Sequence, residues 1–166
     1  MNKRHLFFWL IFFLLLPCAV LAMNRVEVGG PLIPFKGSGL DGESIDLAAS
    51  IGNKPVMLVF WASWCSACKS EMPKINKLVD LYGERGMEFV SINVGHNDSV
   101  RRARAFARKT GMQYPTLFDE RGVVSEQYQL RGVPTIIIAD KRGVIQFQNH
   151  WVPEIPEQIF ERLSAD

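Results

Sequence analysis

Two cysteines three positions apart, Cys65 and Cys68, are the residues of this chain best suited to chemistry. They lie in Phe60-Trp61-Ala62-Ser63-Trp64-Cys65-Ser66-Ala67-Cys68-Lys69-Ser70-Glu71-Met72-Pro73. The thiolate is the reactive form of cysteine, and this spacing lets one sulfur attack while the other reaches back to close a short disulfide. A free cysteine titrates near pH 8.5, roughly, but one in a C-x-x-C pair at a helix N-terminus titrates at roughly 3.5 to 7.5. Unpaired N–H groups and the positive end of the helix dipole favour the anion there.

The flanking residues predict that placement. Val56-Met57-Leu58-Val59-Phe60 is a continuous apolar run, as expected of a strand buried on both faces. After the pair, Met72, Ile75, Leu78, Val79 and Tyr82 recur at the spacing of one helix face, with Pro73 removing one internal hydrogen bond and expected to kink the helix. Cys65, beside Trp64, is expected to be the exposed nucleophile, and Cys68, one turn further in, its shielded partner. Two other chemistries use the same spacing. Half of a zinc site would need a second pair, and only His5, His96, His150 and Cys18 remain. A purely structural disulfide over so small a loop would constrain the unfolded chain little.

With 166 residues, the chain can build one domain with a real core. It opens on Asn2-Lys3-Arg4-His5, an apolar run from Leu6 to Leu16, and Pro17-Cys18-Ala19-Val20-Leu21-Ala22. That pattern predicts residues 1–22 as a signal peptide cut after Ala22 or as an uncleaved N-terminal membrane anchor, with the domain outside the cytoplasm. Pro17 occupies the position where a lipidated cysteine wants a small neighbour, which argues against lipidation of Cys18. Without the leader, 17 basic residues face 17 acidic ones, a balance that argues against a nucleic-acid partner. The domain then keeps only Cys65 and Cys68, so no disulfide framework holds it.

Residues 23–34, with Gly29-Gly30-Pro31 and Pro34, predict a linker, and residues 35–166 the domain. A hairpin turning at Asp41-Gly42 comes first, and Gly52-Asn53-Lys54-Pro55 delivers the chain to the central strand. Strand 87–94 follows the long helix, making a βαβ unit with a parallel pair. Ser99 to Thr110 predicts a helix with Val100, Ala103, Phe106, Ala107 and Thr110 on one face. Its other face carries Arg101, Arg102, Arg104, Arg108 and Lys109, which could stand in solvent or dock an acidic partner or lipid head groups. A short strand at 114–119 and a short helix at 123–128 lead to Gln129-Leu130-Arg131-Gly132-Val133-Pro134, where the X-Pro bond is a candidate for the cis form. A strand with Pro134 as its first residue and running to Ala139, a turn at Asp140-Lys141-Arg142-Gly143, an edge strand 144–150 and a helix 156–165 burying Ile159, Phe160 and Leu163 complete the chain.

In these residues the chain resembles the thioredoxin superfamily, in its exported TlpA/ResA-like branch, over about residues 30 to 165. The Phe60–Pro73 stretch and Arg131-Gly132-Val133-Pro134-Thr135 carry the likeness. The resemblance implies an α/β thioredoxin fold: a central mixed sheet flanked by helices, an N-terminal hairpin and a βα insertion spanning Gly95 to Tyr128. It implies Cys65 as attacking thiol and Cys68 as resolving thiol, with no cofactor beyond their redox-active disulfide and no metal. Trp64, Val133, Pro134 and Thr135 are implied to bind substrate, Pro134 as a cis-proline facing the disulfide and Val133 through backbone hydrogen bonds to an extended segment. Where cytoplasmic thioredoxins place a buried aspartate, this chain has Val59, leaving Glu71 as the acid that could take the Cys68 proton; its alternative is a surface helix glutamate.

The expected activity is disulfide exchange on protein substrates, tilted toward reduction, with apocytochrome c as a family-based substrate, a membrane thiol donor, and the chain a monomer. Ser66-Ala67 lacks the proline many relatives carry before the second cysteine, so the potential, roughly −270 to −120 mV across such proteins, is not set by the motif. A peroxiredoxin-like peroxidase is one rival, though it needs a lone peroxidatic cysteine. A polypeptide- or Cu(I)-binding module is another.

Overall fold

The computed structural model describes residues 26–165. The leader, Cys18 and residues 23–25 lie outside them. The chain enters through an antiparallel hairpin, β1 (Lys36–Ser38) and β2 (Ser44–Asp46), turning through Asp41 and Gly42 as expected. A one-turn helix not foreseen in the sequence, α1 (Leu47–Ser50), follows because the Asp46 carboxylate caps it through the Ala48 N–H. Then come β3 (Val56–Trp61), α2 (Ser66–Tyr82), β4 (Glu88–Asn93), α3 (Val100–Thr110), β5 (Thr116–Phe118), α4 (Val123–Gln127), β6 (Thr135–Ala139), β7 (Ile145–Asn149) and α5 (Glu157–Ser164). α2 runs unbroken through Pro73.

The five long-range strands form one mixed sheet in the order β5-β4-β3-β6-β7. β3 is central, parallel to β4 and antiparallel to β6, and every one of its residues is buried. Alternation along it feeds two cores. Met57, Val59 and Trp61 face Met72, Ile75, Leu78, Phe106, Phe160 and both cysteines. Val56, Leu58 and Phe60 face Leu32, Phe35, Leu47, Leu117 and Tyr128. The segment from Gly95 to Tyr128 supplies α3, edge strand β5 and α4, the expected insertion. In α5 the inward residues are Phe160 and Leu163, with Ile159 only partly buried.

The described part of the expected linker is packed against the domain. Val26 and Leu32 are buried, Gly29 and Leu32 donate backbone hydrogen bonds to the Ile145 and Gly143 carbonyls, and Ile145 donates to the Gly30 carbonyl. Glycine and proline removed periodicity here, but backbone pairing with the edge at β7 needs none. Tyr128 completes the attachment. Its ring is fully enclosed, its hydroxyl accepts from the Ile33 N–H at 3.2 Å, and it donates to the Ile33 carbonyl at 2.7 Å. Tyr128→Phe leaves both Ile33 groups without this partner and should cost about 1–2 kcal/mol in urea unfolding. An unchanged midpoint would show that the 26–34 segment adds nothing to the fold.

Candidate active site

Because β3 and β4 run parallel and β6 runs against them, three connections meet at one end of the sheet: the one leaving β3, the one leaving β4 and the one entering β6. The carboxyl ends of parallel strands are where open α/β sheets place ligands. Here the meeting segments are 62–65, 94–99 and 131–134.

Cys65 occupies the N-cap of α2, its backbone extended, and its sulfur accepts the Cys68 N–H at 3.0 Å. The two sulfurs are bonded, at 2.08 Å. An amide N–H aimed at Sγ from the first turn of a helix would stabilise a thiolate in the reduced state, since both the hydrogen bond and the dipole favour negative charge. The expected exposure of Cys65 is corrected: only 7% of the residue is accessible, and Cys68 is fully enclosed. Turning Sγ inward to cap the helix and join Cys68 withdraws it from solvent. Cys65 still borders a cavity of about 410 Å³, while the neighbouring Trp64 is 54% exposed.

Asp98, which the sequence reading did not single out, holds the approach to Cys65. Its side chain is fully buried and accepts from the Ser63 N–H and the Ser63 hydroxyl, both at 2.6 Å, from Asn93 at 2.9 Å and from the Ser99 N–H at 2.8 Å. Asn93 also accepts the Gly95 N–H, closing the loop on itself. Gly95 has φ 69°, and a side chain there would meet the Asp119 carbonyl at 2.3 Å. The Trp64 indole N–H donates to the His96 carbonyl at 2.9 Å, so the loop after β4 grips both residues that precede Cys65.

The Val133–Pro134 bond is cis. Opposite Phe60 on β3 stands Thr135, which brings Pro134 to the same sheet end as the cysteine loop. Thr135 is buried, its hydroxyl donating to the Gly132 carbonyl at 2.7 Å, and the Pro134 carbonyl lies 2.7 Å from His150 Nδ1. Trp64 and Val133 line one groove of about 600 Å³ along α4. The structure thus gathers Trp64, Cys65, Cys68, Val133, Pro134 and Thr135.

Glu71 is engaged elsewhere. One carboxylate oxygen pairs with Lys74 at 2.7 Å and the other accepts the Val152 N–H at 2.8 Å, and no hydrogen bond joins it to either cysteine among the described residues. Burial pushes its carboxyl up, but Lys74 and the Val152 N–H outweigh that and hold it below the ordinary value, the opposite of a group poised to take a proton. Among the described residues, no three His, Cys, Asp or Glu side chains cluster as metal ligands.

Asp98 carries a pH signature. Burial raises its carboxyl, yet hydrogen bonds from Asn93, Ser63 and Ser99 prevail and hold it below the ordinary 3.8. The stability this supplies is complete above that value and drains away as pH falls through the depressed folded one. Asp98→Asn should therefore be less stable than the parent at pH 7 and lose less between about pH 5 and 2 in urea melts. Parallel pH profiles for the two proteins would rule out an ionised Asp98 as the clamp.

The model of the AhpC/TSA family matches residues 28–148. Thiol-disulfide oxidoreductase ResA of Bacillus cereus is 29% identical, with 99% of this chain and 98% of that protein covered. Thioredoxin-like protein YneN of Bacillus subtilis is 36% identical over 74% of each chain. Among solved structures, a thiol:disulfide interchange protein of the thioredoxin family from Chlorobium tepidum superposes with a TM-score of 0.63 at 25% identity, covering 80% of this chain and 92% of that one. With its family match, these relatives and a closed Cys65–Cys68 pair at a helix end, the chain belongs to the AhpC/TSA family as a ResA-like thiol-disulfide oxidoreductase of the thioredoxin superfamily.

Proposed function

We propose that the chain reduces disulfides in polypeptides outside the cytoplasm, drawing electrons from a membrane-embedded thiol donor. The observation that carries this is Cys65 Sγ at the N-cap of α2, accepting the Cys68 N–H and bordering an open cavity. In the reduced protein the Cys65 thiolate attacks one sulfur of a substrate disulfide. A Cys65–substrate bond forms, the substrate S–S bond breaks, and the first substrate thiolate leaves. Cys68 then loses its proton to solvent and attacks Cys65 Sγ, expelling the second substrate thiolate and leaving the Cys65–Cys68 disulfide. Two electrons pass to the substrate, and the donor dithiol returns them.

Roles for the remaining residues follow from position. Val133, ahead of cis-Pro134, offers backbone groups to an extended substrate segment, with Trp64 across the groove from it. Glu71 keeps its charge and anchors the 151–152 segment to α2 rather than relaying the Cys68 proton. No cofactor is needed beyond the disulfide itself. The basic start and apolar run of residues 1–22 support export or anchoring, and the TlpA/ResA-like resemblance supports apocytochrome c as a substrate. No helix among the described residues is long and apolar enough to cross a membrane.

Insulin-disulfide reduction should fall to the uncatalysed rate in Cys65→Ser. Peroxide consumption and Cu(I) titration, run beside it, should show neither turnover nor tight binding that depends on Cys65. Cys68→Ala should retain substrate proteins covalently on Cys65 in the native host, released by dithiothreitol. An empty trap would remove protein disulfides as the substrate.

A further inference from the structure

The basic face of α3 is not uniform. Arg104 folds back onto the Leu40 carbonyl, and Arg102 pairs with Asp98, which offsets its charge. Lys109, in contrast, has no ion-pair partner among the described residues, and neither does Lys69 on α2. These two free cations and Arg102 line the same cavity as Cys65, together with Trp64 and Phe106, and no carboxylate lines it. An uncompensated positive charge therefore stands beside the sulfur that must be attacked, although the domain as a whole is balanced in charge.

Resting on the disulfide-exchange reading above, we propose that this cavity selects its substrates: Lys69 and Lys109 receive acidic side chains flanking the substrate cysteine. Exchange requires a polypeptide cysteine to sit over Cys65, so the residues next to it must pass along the cavity walls. Its aromatic parts, Trp64 and Phe106, take the apolar stem of that segment, and the lysines supply charge complementarity that steers encounter and sets register. Lysine suits the task, since its mobile ammonium follows acids at varied positions.

The test uses the full chain, reduced with dithiothreitol and freed of it, and peptides closed by one internal disulfide and flanked by Asp, Ser or Lys pairs. Each rate is divided by that peptide's rate with dithiothreitol, which removes differences in intrinsic reactivity. The acidic peptide should react roughly tenfold faster than the basic one at low salt, with the ratio collapsing toward one at high ionic strength. Lys69→Glu/Lys109→Glu should invert the order. Arg108→Glu/Arg162→Glu, the same charge change outside the cavity, should preserve it. Equal rates for the three peptides, or inversion by the control pair as well, would overturn the proposal while leaving the exchange reaction standing. Binding of anionic phosphatidylglycerol vesicles through Lys69 and Lys109 with no peptide preference would overturn it in favour of lipid head groups. If no peptide reacts faster than with Cys65→Ser, the exchange reading fails and the proposal with it.

Discussion

The site depends on one interaction: a main-chain N–H of the first turn of α2 directed at the sulfur of the residue that caps it. A helix leaves its first N–H groups without internal partners, and side-chain oxygens usually satisfy them. Here a sulfur takes that position. The group that needs an acceptor and the group that needs help carrying charge meet each other's requirement, and Cys65 is thereby distinguished from Cys68, which lies deeper and faces the core. The exchange chemistry follows from that asymmetry.

For the sulfur to stay at the cap, the four residues from Ala62 to Cys65 must leave β3 along one path. Backbone propensity alone would not hold so short an irregular segment. Asp98 does so from the next loop by accepting from both the backbone and the side chain of Ser63, and the His96 carbonyl holds the Trp64 ring. Such a carboxylate can stay charged while buried because five groups of four other residues donate to it, the Arg102 guanidinium among them. From α2 itself, Glu71 plays a comparable part for the 151–152 segment. The reactive pair is therefore framed by two ionised side chains whose tasks are geometric.

Compared with its rivals, the disulfide-exchange assignment is favoured by the two cysteines' mutual reach. A peroxidase of the related kind would need a lone peroxidatic cysteine, whereas Cys65 and Cys68 are joined within one helical turn.

Much of this was legible in the order of residues because the relevant forces are local or periodic. A short apolar run with β-branched residues reads as a strand covered on both faces, a 3.6-residue recurrence marks the helix after it, and three-residue spacing at the start of that helix brings two sulfurs within bonding reach. Proline's weakened trans preference made the bond before Pro134 a candidate for the cis form, and the family resemblance, not the local residues, implied that it is taken. Tertiary structure decided what periodicity cannot encode: Asp98 reaching Ser63 across 35 positions, Glu71 reaching Val152 across 81, and the 26–34 segment adding its backbone to the edge at β7. It also withdrew Cys65 from solvent. Such contacts join single polar groups far apart in the chain, leave no repeating signature, and come into being only when the sheet brings its loops to one end.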